Sequence, residues 1–156
     1  IWRLSQDLLD VIPETVLDQV DVVAGPITGG ALLAHTLAGL LDGRRHLTRP
    51  PTSFAPLFLD DHGDLGLRNF YKTVVSGKRV LIADDVRNTG KTFERATAVL
   101  EEAGGTVIAT VQIYDRLEAI VDLGVPNVAL AEYRAPENYP VASCPLCQSG
   151  VPITTF

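Results

Sequence analysis

Methionine is absent from the sequence, tryptophan occurs once and cysteine twice. Without methionine even at its first position, the chain is expected to be a processed or truncated form. Both cysteines fall in Cys144-Pro-Leu-Cys147, too few for a disulfide framework and suited to a reducing compartment. No apolar run approaches the roughly 18 residues that a bilayer span requires. Residues Ile1 to Asp7 lack the charged-then-apolar profile of a secretory signal, so a cytoplasmic protein is expected. Positive charge is also scarce. A formal net charge of −6 and a pI near 4.9 leave no basic face for displacing counterions from a nucleic-acid duplex. A small anionic ligand is not excluded, because local loops rather than net charge decide such binding.

What is present reads as one domain over 1–156, since 156 residues with 46% hydrophobic and 21% charged suit a single soluble core. Short Val- and Ile-rich runs alternate with helical-period segments, the pattern of an α/β protein with a mostly parallel central sheet and helices on both faces. The clearest strands are Asp21–Ala24, Val80–Ala83, Val107–Ile113 and Val128–Ala131, with Ser53–Leu59 weaker and suited to an edge. One helix carries Ala31, Leu33, Leu37 and Leu41 and is expected to stop at Gly43 as a left-handed cap. A second carries Phe93, Ala96, Val99, Leu100 and Ala103 on one face and ends at Gly104-Gly105. Between Arg44 and Gly77 the pattern weakens, and Asp60-Asp-His-Gly-Asp-Leu-Gly66 reads as turns or a mobile loop, about 60–72, where a lid could sit. The tail, 135–156, holds Pro136, Pro140, Pro145 and Pro152, too many for a regular element.

The chemistry concentrates in Val80-Leu-Ile-Ala-Asp-Asp-Val-Arg-Asn-Thr-Gly-Lys-Thr92. A buried strand delivers Asp84 and Asp85 to its carboxyl end, where open α/β sheets bind ligands. For an isolated Asp-Asp pair, a solvated strand end is the ordinary explanation. Here the chain runs straight on into a helix: Gly90 permits a tight turn, Thr89 and Thr92 offer hydroxyls, and successive amides at a positive helix N-terminus suit an anion, with Lys91 adding a point charge. A nucleotide-binding P-loop would require glycine at position 85, which is Asp, so that reading fails.

Four apolar residues, two acidic residues and a Thr-Gly-x-Thr loop resemble the phosphoribosylpyrophosphate motif of type I phosphoribosyltransferases, closest to the orotate phosphoribosyltransferase-like proteins. The resemblance covers roughly 20–116. It implies that Asp84 and Asp85 hold the ribose hydroxyls and, indirectly, Mg²⁺, while Arg87, Asn88, Thr89, Gly90, Lys91 and Thr92 wrap the 5-phosphate. The family's pyrophosphate loop corresponds to Gly25, Pro26, Ile27, Thr28, Gly29 and Gly30, which in such enzymes often holds a strained peptide; a plain strand-to-helix turn is the alternative. The implied reaction transfers the phosphoribosyl group of 5-phosphoribosyl-1-pyrophosphate to a nucleobase and releases pyrophosphate, with Mg²⁺ and a homodimer as further implications.

Tyr114-Asp-Arg116 resembles the Val-Asp-Arg segment of orotate enzymes, which would make Arg116 a base-binding residue; a structural salt bridge is the other reading. The run from Cys144 to Ile153 resembles a Cys-x-Leu-Cys-x-x-Gly-x-Pro tail of some orotate-type enzymes, and Cys144 and Cys147 are either half of a zinc site, shared across a dimer, or unligated packing cysteines. The resemblance breaks in the loop: orotate enzymes carry Arg-Lys-x-x-Lys-x-His-Gly, whereas this chain has Pro56-Leu-Phe-Leu-Asp-Asp-His-Gly63. His62, Arg68 and Lys72 either replace the missing cations or are solvated loop residues. The N-terminal segment that helps form the base pocket in orotate enzymes is expected to be short or missing. A purine-type enzyme and a non-catalytic regulator that binds the same ligand remain alternatives.

Overall fold

The computed structural model describes residues 1–118, 121–134, 139 and 141–152. Among them the chain forms α1 (Trp2–Val11), α2 (Glu14–Leu17), β1 (Val22–Pro26), α3 (Gly30–Arg44), β2 (Ser53–Leu59), β3 (Leu65–Gly66), α4 (Asn69–Val75), β4 (Arg79–Arg87), α5 (Lys91–Glu102), β5 (Thr106–Asp115), β6 (Asn127–Glu132), a 3-10 turn (Val141–Ser143) and α6 (Pro145–Gln148). Six strands lie in the order β3-β2-β1-β4-β5-β6. All pairings are parallel except β2 with β3. The expected α/β sheet is therefore present.

Strand alternation divides the apolar residues between two faces. Val23, Leu81, Ala83 and Val111 turn toward Leu33, Leu37 and Leu41 of α3 and Leu8 and Leu9 of α1. Val22, Ala24, Val80 and Ile82 turn toward Phe93, Ala96 and Leu100 of α5 and Val75 of α4. Each fully buried Leu or Phe contributes about 1.5–3 kcal/mol to holding its layer. Among the described residues no helix is long and apolar enough to cross a membrane.

Three features differ from the sequence reading, and a fourth, the 60–72 stretch, takes the turns that are one of its two expected forms. Helix α1 was not expected, although Ser5, Leu8, Leu9 and Ile12 are all buried and follow the i, i+3, i+4, i+7 spacing of a helix face; the serine hides the pattern, and its hydroxyl donates to the Ile1 carbonyl at 3.0 Å. Gly43 is not the end of α3, which continues to Arg44; Arg44 pairs with Asp10 at 2.7 Å, and the Arg45 side chain donates to the Val20 carbonyl at 2.8 Å, so side-chain anchors rather than a left-handed glycine set the boundary. The 60–72 stretch is built of turns and short elements. Asp60 Oδ1 accepts the His62 amide at 2.8 Å and the Asp64 amide at 2.9 Å, closing a hairpin onto β3, and α4 starts at Asn69. In the tail, α6 forms with Pro145 in its first turn, where a missing N–H costs nothing; Pro136, Pro140 and Ile153 lie outside the described residues.

Strand β2 is an edge strand over most of its length, because β3 pairs only with Phe58 and Leu59. Parallel pairing directs Leu57 toward β1, where its carbonyl accepts the Ile27 amide at 2.8 Å, so Pro56 turns its missing N–H to the open side. Leu8→Ala is expected to lower unfolding free energy by about 2–5 kcal/mol, measured by urea denaturation; a loss below about 1 kcal/mol would mean that α1 is not docked in the core.

Candidate functional site

Strand β1 pairs with β4 only from Val22↔Val80 to Ala24↔Ile82, whereas β5 accompanies β4 as far as Arg87↔Asp115. Beyond Ile82, then, β4 has a strand on one side and the loop after β1 on the other. The connection from β1 goes outward through α3 to β2, and the later strands add on the opposite side. The gap between β1 and β4 is thus the point where strand order reverses, the usual ligand crevice of such sheets. Asp84 and Asp85 stand in that gap, inside a strand that runs longer than Val80–Ala83 because β5 keeps pairing with it.

The loop of 25–30 lies directly against β4. A Cβ on Gly30 would come within 2.1 Å of the Ala83 carbonyl oxygen, and one on Gly25 within 2.8 Å of the same atom. A Cβ on Gly29 would meet the Asp85 carboxylate at 2.7 Å. At Gly25 and Gly30 only backbone without side chains fits, whereas at Gly29 the exposed Asp85 side chain would have to move. Pro26 is buried, while Ile27 and Thr28 are exposed at the rim. Among the described residues every peptide is trans and no residue of 25–30 has a positive φ, so the expected strain is not found. The Ile27 amide donates to the Leu57 carbonyl and the Gly29 amide to the Pro26 carbonyl at 3.3 Å.

Asp84 is 6% exposed, and its Oδ1 accepts the Asp85 amide at 3.0 Å. Burial, with a contribution from the neighbouring Asp85 charge, pushes its carboxyl up to about 7 from the ordinary 3.8. Asp85 is exposed, with Oδ1 accepting the Val86 amide at 2.7 Å. The pair thus combines one carboxyl on the edge of ionisation with one facing solvent.

Residues Val86 to Phe93 line a concavity of about 110 Å³ at the start of α5. Gly90 has φ of +85° at the cap position and offers no capping side chain, which leaves the first-turn amides available to an anion. Asn88, Lys91 and Thr92 are exposed and Thr89 is half-buried. Arg87 departs from the expectation. Its guanidinium turns inward, donating to Asp115 Oδ2 at 3.1 Å and to the Val121 carbonyl at 2.7 Å, so its contribution to an anion cradle is backbone and wall rather than a free cation.

Arg116 follows β5 on the same edge, its amide donating to the Arg87 carbonyl at 2.9 Å. Its guanidinium lies 3.0 Å from Glu118 Oε1, so a salt bridge forms at the position assigned to base binding. His62 sits at the hairpin tip and Lys72 on the exposed side of α4. Arg68 caps α4 and lies over the Phe58 ring at 5.8 Å from its centroid. The backbone amide of Cys147 holds the Cys144 thiol below its ordinary value, while the hydrogen bond with Cys144 pushes Cys147 up. Among the described residues no group of three or more His, Cys, Asp or Glu is placed to hold a metal ion. Another concavity, about 550 Å³ between α1, α2 and the end of α3, opens a full helix length, roughly 20 Å, from Gly30.

Sequence reasoning missed Asp115 as more than the neighbour of Arg116, and missed Val121, Thr110 and Asn127 behind the cradle. Only the register of β4, β5 and β6 brings them together.

A glycine-rich turn apposed to an acidic strand end, followed by an amide-rich helix start, places the molecule with the phosphoribosyl-handling α/β proteins. The chain belongs to the phosphoribosyl transferase domain family, which it matches over residues 4–123. It is 34% identical over 135 residues to the orotate phosphoribosyltransferase of Caldicellulosiruptor bescii, covering 86% of this chain and 65% of that protein. It is 33% identical over 150 residues to orotate phosphoribosyltransferase 2 of Mesorhizobium japonicum, covering 96% and 71%. The crystal structure of orotate phosphoribosyltransferase from Aeropyrum pernix is similar with a TM-score of 0.62 and 26% identity, over 83% of this chain and 70% of that one. Adenine phosphoribosyltransferase from Thermoanaerobacter pseudethanolicus shares the fold at a TM-score of 0.65 and 20% identity, over 84% and 79%.

The raised Asp84 carboxyl has a consequence for stability. The folded state keeps this proton up to about pH 7, whereas the unfolded chain releases it near 3.8, so between those values the folded state binds more protons and stability falls as pH rises. Asp84→Asn is expected to unfold near the wild-type temperature at pH 3.5 and at least about 3 °C higher at pH 8, read by calorimetry; equal shifts at both pH values would contradict the raised carboxyl.

Proposed function

We propose that the chain transfers the phosphoribosyl group of 5-phosphoribosyl-1-pyrophosphate to orotate, releasing pyrophosphate, and that it works with Mg²⁺ as a homodimer. The observation that carries this reading is the meeting of the 25–30 turn with Asp84 and Asp85 beside the open amides at Gly90. Orotate as acceptor is supported by the names of the relatives at 33–34% identity; Arg116, one residue beyond β5 with its backbone amide bonded to the cradle strand, would have to leave Glu118 to meet the base. The chain spans 65% of the length of the Caldicellulosiruptor relative.

In this mechanism the first turn of α5 and the hydroxyls of Thr89 and Thr92 bind the 5-phosphate, and the backbone of 25–30 receives the pyrophosphate. Asp84 and Asp85 orient the ribose through its hydroxyls and favour the positive charge that develops as the anomeric bond to pyrophosphate breaks and the base nitrogen bonds from the opposite face. With its carboxyl near 7, Asp84 ionises readily once a cation or a cationic ribose arrives, so burial keeps its charge for the loaded state. The donor set fits a hard divalent ion: Asp85 presents an exposed carboxylate against the Gly29 backbone, and oxygen ligands are what Mg²⁺ takes. When bound, Mg²⁺ would neutralise the leaving pyrophosphate.

A second reading, binding without turnover, draws on the hairpin. Asp60 is committed to closing that turn, Asp61 is exposed beside it, and Arg68 is stacked on Phe58, a poor array for a polyanion. A turnover screen of orotate, adenine, hypoxanthine and xanthine with the donor and Mg²⁺ separates the readings. Pyrophosphate release with orotate is expected, and Asp85→Asn should cut kcat/KM by about 100-fold or more. Turnover with purines alone would overturn the acceptor assignment; donor binding without any turnover would favour the second reading.

A further inference from the structure

The cradle is held from behind by a carboxylate to which the proposed reaction gives no part. Asp115 is 4% exposed. Its Oδ2 accepts Arg87 Nη1 at 3.1 Å, Gln112 Nε2 at 3.2 Å and Asn127 Nδ2 at 3.1 Å, and its Oδ1 accepts the Leu117 amide at 2.8 Å. Four donors converge on this one carboxylate, three of them on Oδ2. The Asn127 amide is fixed in turn by Thr110, whose hydroxyl donates to Asn127 Oδ1 at 2.8 Å.

From this hub the contacts run to both ligand-facing segments. On one side, Arg87 reaches the Val121 carbonyl, the Val121 amide donates to the Thr89 carbonyl at 3.2 Å, and the Val121 side chain fills the space beside Gly90, 3.2 Å from where a Cβ would stand. On the other, the bond to the Leu117 amide holds a leucine at φ of 58°, a conformation that costs energy for this residue and persists only when its surroundings impose it. That turn carries Arg116.

A buried ion pair is a weak source of stability, since desolvation offsets most of the attraction; the side chains of Arg87 and Asp115 are 13% and 6% exposed. We infer that Asp115 is a positioning residue that, through Arg87 and Val121, holds the Thr89–Gly90 anion cradle and the Arg116 turn in one arrangement. The inference rests on the reading of that cradle as the donor's 5-phosphate site.

Calorimetric titration with 5-phosphoribosyl-1-pyrophosphate and Mg²⁺ tests it without relying on turnover. Arg87→Met/Asp115→Asn removes both charges together, so neither is left buried alone. The variant is expected to unfold cooperatively and to bind the donor about tenfold more weakly, a difference of about 1.4 kcal/mol, with KM for the donor rising in step and kcat within about threefold. A folded double variant that binds within twofold of wild type would overturn the inference while leaving the proposed function intact. Should the double variant not fold, Val121→Gly loosens the same tether without touching the ion pair; weakening of threefold or more is expected, and unchanged binding overturns the relay. A wild-type chain that does not bind the donor would overturn the proposed function first, and this inference with it.

Discussion

Between Gly30 and the middle of β4 there is no room for a methyl group, since a Cβ there would stand 2.1 Å from the Ala83 carbonyl oxygen. That contact fixes how α3 starts, because the helix begins at Gly30, and it sets the turn of 25–30 against the strand that carries Asp84 and Asp85. A larger residue would push the turn outward and open the crevice at the reversal of strand order. Gly25 extends the same constraint against backbone, while Gly29 faces the movable Asp85 carboxylate. The layers on either side of the sheet supply the rigidity that keeps backbones this close.

Two carboxyls are buried at the cost of solvation, and each is treated differently. Among the described residues no cation pairs with Asp84, and burial holds its proton to about 7; in the proposed reaction the partner of its charge would be the ligand or an ion. Asp115 is given four donors, one of them the Arg87 guanidinium. The difference follows from position. Asp84 faces the crevice, where protein donors would compete with a ligand, whereas Asp115 sits behind it, where unfilled acceptors would cost stability.

The side of the crevice nearest β2 has another character. Its hairpin is closed by the Asp60 carboxylate, the Arg68 guanidinium lies over the Phe58 ring, and its outward face shows His62 and acidic groups. Open backbone amides lie at α5 and side-chain cations are sparse at the hairpin, so in the proposed reaction pyrophosphate would lean on backbone amides and on a divalent ion rather than on a cluster of side-chain cations.

The sequence by itself determined the sheet, four of its strands nearly to their ends, the helices after β1 and β4, and the two loops that face each other, because apolar periodicity, glycine and an acidic strand end are local signals that need no partner to be read. It left α1 unread because a serine occupies its buried face, and it placed a helix end at Gly43 where arginine side chains reaching distant carbonyls override a local preference. Tertiary structure alone decided the roles of Arg87 and Asp115. A guanidinium in a phosphate motif looks like an anion ligand along the chain. Only the pairing of Arg87 with Asp115 across two strands, and the return of Val121 against Gly90, turns it inward, since the interactions that direct a long side chain come from residues far away in sequence.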